Sequence, residues 1–401
     1  MITLAALAAG LLLAADTPVP NLLGYPPCST AEAFDPAGDA DLALRREIAL
    51  GACLLPLELS AGDIQSLLGD EDFAFEIDGE ELVIARRGSG AYRLHGALNA
   101  SLPELEGGDG IHAGRFRLAE LQSALLTFYV IPEGATQISL DMMPEWEGPD
   151  APQKAVVEND GEIAGELIAT ELWSEALGET RRLYVYLPPG HDPAASYPAV
   201  FFGDGGVVNH FGRLIEPRIA DGSLPPMVLV GAESGQQGIV EDRSDIERDL
   251  RNADYLPGGI RGVDRFDAHL TFFADELVEH AMENWGVSPD PALRGVYGRS
   301  SGGAFSLQAG FRRPDRFGHA FSMSTGRGPV READPAPENA ARFYFAAGLY
   351  EPTFLYNAHI SANALRAAGY ELHLEALAAG HTQEIDTVML IPFLRDAFGV
   401  D

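Results

Sequence analysis

"GVYGRSSGGAF" (residues 295–305) is the stretch on which the fold turns. Gly298-Arg299-Ser300-Ser301-Gly302 fits the pattern G-x-S-x-G. The residues before it, "RGVY" (294–297), read as a buried strand, and those after it, "GAFSLQAGFRR" (303–313), as a helix. A serine at a tight turn between a strand and a helix is held in a strained backbone conformation with its hydroxyl presented outward. Small residues two positions before and two after let strand and helix approach without a Cβ clash. In that setting Ser300 stands over the helix N-terminus, and the Ser301 N–H points at an oxyanion formed on an attacked carbonyl. The competing reading is a plain glycine-rich turn, and the choice rests on what lies elsewhere in the chain.

Short β-branched or aromatic runs recur around this stretch: "RRLYVYL" (181–187), "AVFFG" (199–203), "MVLVGAE" (227–233), "HAFSMS" (319–324), "RFYFAAG" (342–348) and "ELHLEAL" (371–377). Helical segments separate the later ones. "DAHLTFFADELVEHAMENWG" (267–286) is the clearest, with Leu270, Phe273, Leu277 and Met282 near helical spacing, and "NAHISANALRAAG" (357–369) ends in a glycine that can stop a helix. Strands alternating with helices predict a mostly parallel central sheet with helices on both faces, an α/β fold whose chemistry sits at the carboxyl ends of the strands.

A serine hydroxyl needs a base. In folds of this kind the order along the chain is nucleophile, acid, histidine. Of the ten histidines, His319, His359, His373 and His381 follow Ser300. The first three fall in a buried strand, a helix and an alternating strand, and read as structural. His381 lies in "LEALAAGHTQEID" (374–386), just after the last strand, where it can reach Ser300. "RFYFAAGLYEPTF" (342–354) offers Glu351 as the acid that orients the imidazole; the same residue could instead cap the following helix, and Asp386 is the fallback. A second oxyanion donor is expected from "YPAVFFGDGGVV" (197–208), at Gly205 or Gly206. Asp204 cannot donate while ionised; at the site's edge it shapes the loop or repels anions.

The first 15 residues, "MITLAALAAGLLLAA", are apolar but too short to span a bilayer, and fit a secretory signal without its usual basic start. A buried first helix is the alternative. Export predicts a periplasmic or secreted protein, and its absence a cytoplasmic one. Cys28 and Cys53 are the two cysteines, and could pair in an exported protein or remain buried thiols in a cytosolic one. After a proline-rich connector, residues 40–70 carry helical signals, in and after "DADLALRREIALGACLL" (39–55). "FAFEIDGEELVIARR" (73–87) reads as a β-hairpin, and "LLTFYVIPEGATQISLDMM" (125–143) as two more strands. The chain therefore divides into a leader (1–15), a smaller mainly β N-terminal domain (30–145), a linker (146–164) and the α/β domain (165–401). With 27 basic and 60 acidic residues among 401, the net charge of −33 argues against nucleic-acid binding and against docking on anionic lipid. No acid–histidine cluster suggests a metal, and the chemistry calls for no cofactor.

Together these residues resemble the esterase D / enterochelin esterase family of α/β-hydrolases over roughly 165–401. "YPAVFFGDGG", "YGRSSGG" followed by "RRPDRFGHAFSMSTG", "AAGLYEPTFLYN" and "AAGH" carry the resemblance, and "RNADYLPG" (251–258) is similar to an arginine–acid–tyrosine stretch ahead of the family's long helix. "PEWEGPDAP" (144–152) is similar to the end of the β-rich domain that precedes the hydrolase domain in enterochelin esterases and helps to frame their active site. The resemblance implies an α/β-hydrolase fold and a serine carboxylic-ester hydrolase, working through an acyl-enzyme with Ser300, Glu351 and His381 as triad. Where the family often carries an aspartate after the histidine, Thr382 stands here. The substrate is expected to be a small-molecule ester: a siderophore ester, or a feruloyl or carbohydrate-linked one. A catecholate siderophore is anionic and would draw on Arg299, Arg243, Arg248 and Arg251, although pairing with nearby acids competes for most of these. A non-catalytic binding protein on the same scaffold is the alternative outside the enzyme class.

Overall fold

The computed structural model describes residues 18–132, 145–157, 162–235 and 250–399. The leader, the second strand of the 125–143 pair, Arg243 and Arg248 lie outside them.

The N-terminal region runs α1 (Cys28–Ala33), α2 (Ala40–Gly51), β1 (Ala52–Leu55), α3 (Ala61–Leu68), β2 (Phe73–Asp78), β3 (Glu81–Arg87), β4 (Tyr92–Gly96), β5 (Ala100–Leu102), β6 (Ile111–Leu118), β7 (Leu125–Pro132) and β8 (Glu145–Glu147). The strands form two four-stranded sheets, ordered β1-β6-β3-β2 and β5-β4-β7-β8. β2 and β3 make the expected hairpin, closing on Asp78 opposite Glu81. Two expectations change. Residues 52–55 continue a helical pattern in sequence, yet the helix stops at Gly51 and Ala52–Leu55 pairs antiparallel with β6. A tertiary ladder outweighs weak local propensity there, and Cys53 on this strand is bonded to Cys28 on α1. Trp146 and Glu147, at the start of the expected linker, belong to β8 and pair with Leu126 and Leu125.

The large sheet follows: β9 (Glu166–Ser174), β10 (Glu179–Leu187), β11 (Ala199–Phe202), α4 (Val208–Ala220), β12 (Val228–Ala232), α5 (Leu250–Tyr255), α6 (Phe266–Thr271), α7 (Val278–Trp285), β13 (Arg294–Arg299), α8 (Ser301–Arg312), β14 (His319–Met323), β15 (Arg342–Gly348), α9 (Pro352–Ala367), β16 (Leu372–Leu377) and α10 (Glu384–Phe398). Its order is β16-β15-β14-β13-β11-β12-β10-β9. β9, β10 and β12 pair antiparallel, and every neighbour from β12 to β16 is parallel. The sheet is thus mixed, with a mainly parallel half that holds the 295–305 stretch. The strands of that half read as unbroken apolar runs because both faces are covered. One face packs Phe201, Val296 and Phe345 against Phe273 of the helical run from α6 to α7 (266–285), Phe305 of α8 and Leu355 of α9. The other packs Phe202, Tyr297 and Tyr344 against Phe211 of α4 and Leu394 of α10.

The two cores exchange residues across the 146–164 segment. Leu22, Ala31, Ile48 and Ala49 are buried in the core of the large sheet, whereas Tyr350 and Ala378 are buried in that of the N-terminal sheets. Among the described residues no helix is long and apolar enough to cross a membrane.

Candidate active site

β13 is buried up to Gly298 and delivers the chain to Ser300, which takes φ 61° and ψ −123°. A non-glycine residue with positive φ is strained, and here its neighbours hold it: the Ser300 N–H donates to the Met323 carbonyl at 3.0 Å, and its own carbonyl accepts from Gly326 N at 2.9 Å and Ala304 N at 3.1 Å. The glycines are required by contact. A Cβ on Gly298 would lie 2.0 Å from the Gly302 carbonyl oxygen, and one on Gly303 would lie 2.5 Å from that of Met323. Strand and helix therefore close on each other through backbone, as the spacing predicts.

The next strands bring two more groups to the same edge. β15 ends at Gly348, and Glu351 follows it, 4 % exposed. The Glu351 side chain makes no cap to α9. Its Oε1 accepts from Ser324 Oγ and Gly348 N, both at 2.7 Å. Its Oε2 lies 2.6 Å from His381 Nδ1. Two donors on one oxygen leave the other for the imidazole, which fixes Nδ1 as the protonated nitrogen and leaves Nε2 able to accept a proton. Phe354, on the first turn of α9, stacks on the ring with centroids 4.1 Å apart.

The loop carrying His381 is clamped by the N-terminal sheets. His381 N donates to Gly96 O at 3.1 Å, and Leu125 N donates to Ala378 O at 2.8 Å. A Cβ on Gly380 would stand 2.0 Å from the Ala97 carbonyl oxygen, so backbone meets backbone at this seam. Tyr25 Oη donates to the Tyr350 carbonyl at 2.5 Å, one residue before Glu351. The N-terminal region thus touches the loops of both the acid and the histidine.

On the other side of β13, strand β11 runs parallel with Phe202 opposite Tyr297, so the loop after β11 leaves the sheet beside Ser300. Gly205 and Gly206 open a helical turn there, and such positions carry N–H groups with no intrahelical partner. Gly205 is buried against Ala232 and Tyr184, while nothing stands within 4 Å of a Cβ on Gly206. Ser301 is the first residue of α8. Asp204 is held by Arg251, Nε to Oδ1 at 2.7 Å and Nη2 to Oδ2 at 2.8 Å, so it serves the loop.

Arg299 Nε lies 3.4 Å from Asp386 Oδ2, and Asp386 Oδ1 accepts from Tyr297 Oη at 2.5 Å. Burial pushes the Asp386 carboxyl above its ordinary range, against the pull of Arg299 and Tyr297. Burial also works against the charge of Arg299, but Asp386 together with Tyr297, Glu351 and Asp204 outweighs it, and the guanidinium stays above its usual value. The fallback acid is therefore committed to Arg299 and Tyr297, and it is Glu351 that accepts the His381 Nδ1–H. His319 hydrogen-bonds Ala292 O at 3.0 Å and burial lowers it to about 4. His359 lies within α9, and His373 stacks on Tyr344.

Three contributors escaped sequence reading: Ser324, whose φ of 48° lies in the left-handed region, Phe354, and Gly96 with Ala97. Ser324 and Phe354 lie in stretches that carry the resemblance, but no local pattern marks what they contact. "RNADY" was visible as a stretch, but its contacts were not.

Residues 174–368 match the model of a family described as putative esterase. An uncharacterized protein, YbbA of Bacillus subtilis, is 30% identical over 161 residues, covering 38% of this chain and 59% of its own length. An endo-1,4-beta-xylanase/feruloyl esterase of Xylanibacter ruminicola is 25% identical over 221 residues, covering 52% of this chain and 28% of its own. The chain thus spans less than two thirds of either curated relative. The enterochelin esterase of Shigella flexneri superposes with a TM-score of 0.57 at 16% identity, over 81% of this chain and 95% of that one. At that identity the likeness is one of fold, and a share of 81% takes it beyond the large sheet into the N-terminal region.

Proposed function

Residues 174–368 belong to an esterase family of the α/β-hydrolase type, and from this premise we propose that the protein is a serine carboxylic-ester hydrolase. Ser300 attacks the ester carbonyl, His381 Nε2 takes its proton and returns it to the leaving alcohol, and Glu351 holds the imidazole and stabilises its charged form. Backbone N–H groups of Ser301 and the Gly205–Gly206 turn receive the oxyanion. Water then releases the acid from the acyl-enzyme. The observation that carries the reading is the Glu351–His381 contact at 2.6 Å, in the loops after β15 and β16, at the same sheet edge as the β13–α8 turn that holds Ser300 at φ 61°.

The substrate is a small-molecule ester. The enterochelin-esterase-like arrangement, with the N-terminal sheets against the histidine loop, puts trilactone siderophores first. A feruloyl or carbohydrate-linked ester is the second reading, favoured by Phe354 beside His381 and by the internal pairing of Arg299 and Arg251 with Asp386 and Asp204. The Cys28–Cys53 disulfide supports an exported, oxidising location, since such bonds persist there.

A fluorophosphonate probe with peptide mapping tests the mechanism. Labelling on Ser300, lost in His381→Ala, together with ester turnover that falls by at least about 10³-fold in Ser300→Ala, is the expected result. Absence of labelling on folded wild-type protein would favour a binding protein on a hydrolase scaffold.

A further inference from the structure

The loop after β11 and the turn after β13 leave adjacent parallel strands at the same level, Gly203 N donating to Tyr297 O at 3.3 Å. They then diverge, since α4 packs on one face of the sheet and α8 on the other. An oxyanion held jointly by Gly205–Gly206 and Ser301 needs the two turns fixed relative to each other to within a few tenths of an ångström, because donors act at about 2.7–3.1 Å. Something must span the gap, and the only charged side chain of the N-terminal turn itself, Asp204, works against an anion.

α5 stands across that gap. Arg251 grips Asp204 through two hydrogen bonds, 2.7 and 2.8 Å, and its Nη2 also reaches the Arg299 carbonyl oxygen at 3.4 Å, the peptide that leads into Ser300. Ser301 Oγ donates to Asn252 Oδ1 at 2.5 Å. Tyr255 Oη donates to the Gly203 carbonyl, and its ring stacks on Phe305 of α8 at 5.4 Å and lies under the Arg251 guanidinium at 4.9 Å. Gly302 makes room for this: a Cβ there would stand 3.2 Å from Asp204 Oδ2 and 3.6 Å from Arg251 Nη2. One short helix thus holds the first oxyanion loop at Gly203 and Asp204 and the second turn at Arg299 and Ser301.

We infer that α5 is the clamp that sets the oxyanion site, with Arg251 as its principal positioning residue. Arg251 does two jobs. It fixes the Gly205 turn against the Ser300 turn, and it cancels the Asp204 charge one residue from the donor. The inference rests on the reading of Ser300 as nucleophile. Because the oxyanion exists only in the reacting state, loss of the clamp lowers kcat and leaves KM nearly unchanged.

The test is steady-state hydrolysis of 4-nitrophenyl acetate by the full chain, with fluorophosphonate labelling of Ser300 alongside. Arg251→Gln is expected to lower kcat about 10²-fold with KM within threefold, a size typical of a lost oxyanion contact. Arg251→Lys, which keeps the charge, is expected to retain more activity than Arg251→Gln. Adding Asp204→Asn to Arg251→Gln removes the uncancelled charge and is expected to regain about tenfold. A merely structural role predicts the reverse, since the double variant loses both partners. Tyr255→Phe keeps the ring, removes the hydroxyl's bonds to Gly203 O and, at 3.4 Å, to Asp204 Oδ1, both on the first oxyanion loop, and is expected to lower kcat about tenfold. Wild-type turnover with Arg251→Gln and Tyr255→Phe both within threefold of it overturns the clamp alone. So does a double variant no better than Arg251→Gln. A folded wild-type chain that neither turns over nor labels overturns the hydrolase reading, and the clamp with it.

Discussion

At Glu351 two oxygens have separate duties. Oε1 is saturated by Ser324 Oγ and Gly348 N, and Oε2 is turned to His381 Nδ1. Replacement by glutamine keeps the shape but inverts the last contact. The amide oxygen would accept the two donors on the Oε1 side, and its NH₂ would then face Nδ1. The imidazole would be driven to the tautomer protonated on Nε2, the nitrogen that accepts the Ser300 proton in the proposed mechanism. Glu351→Gln is therefore expected to cut kcat by about 10³–10⁴-fold with thermal stability nearly unchanged; a loss under tenfold would move the acid's role elsewhere. As candidates, Ser300, Glu351 and His381 could be named from the sequence because each lies within a few residues of the end of a strand-like run, in a recognisable local pattern. Arg251, Ser324 and Gly96 were not, because what they do depends on partners 27 or more residues away: Ser324 meets Glu351, Arg251 meets Asp204 and Gly96 meets His381.

At the scale of elements, parallel strands announced themselves as continuous apolar runs, and the long helix by its spacing. The steps between Leu270, Phe273, Leu277 and Met282 widen from three to four to five. The segment is one helix from α6 to α7, with a π turn over Phe272–Leu277 that absorbs the extra residue and keeps both ends facing the core. The short strands β1, β4 and β5 gave weaker signals, since ladders and not local propensity hold them. The same helix buries His269, fully enclosed by Tyr255, Phe272, Phe273 and Phe305. Burial lowers its pKa to about 4, against the pull of Asp254 and with Arg181 and Arg265 adding to the fall. The folded value lies below the ordinary 6.5, so the unfolded chain binds the proton first. Stability from this neutral ring is complete above about pH 6.5 and is lost as pH falls toward 4, up to about 3 kcal/mol. His269→Phe is expected to flatten that limb: between pH 7.5 and 4.5, urea denaturation should cost the variant about 2–3 kcal/mol less than wild type. Parallel curves for the two would place the acid sensitivity in other groups.

At the scale of the molecule, the sequence divides where the structure joins. Composition shifts near residue 145 suggested two domains with a linker, and the two sets of sheets are there. Yet the cores are exchanged across the seam. Leu22, Ala31, Ile48 and Ala49 from the N-terminal region fill the large sheet's core, and Tyr350 and Ala378, beside the acid and the histidine, fill the other. The disulfide between Cys28 and Cys53 ties α1, which packs on the large sheet, to β1 of the small one. No linear pattern reports such an exchange, because each apolar residue looks equally at home in either core. Opening the seam would strip apolar surface from both cores and break the hydrogen bonds that Gly96, Leu125 and Tyr25 make to the loops of the candidate site. Separate domains joined by a tether would unfold in two steps and lose activity only in the step that melts the hydrolase part. Exchanged cores instead predict one transition. Calorimetry should show a single peak, and urea curves followed by tryptophan fluorescence, far-UV circular dichroism and ester turnover should coincide. A first transition that melts the N-terminal sheets while turnover survives would mean that the histidine loop stands without Gly96 and Leu125, and that the seam supports neither the fold nor the site.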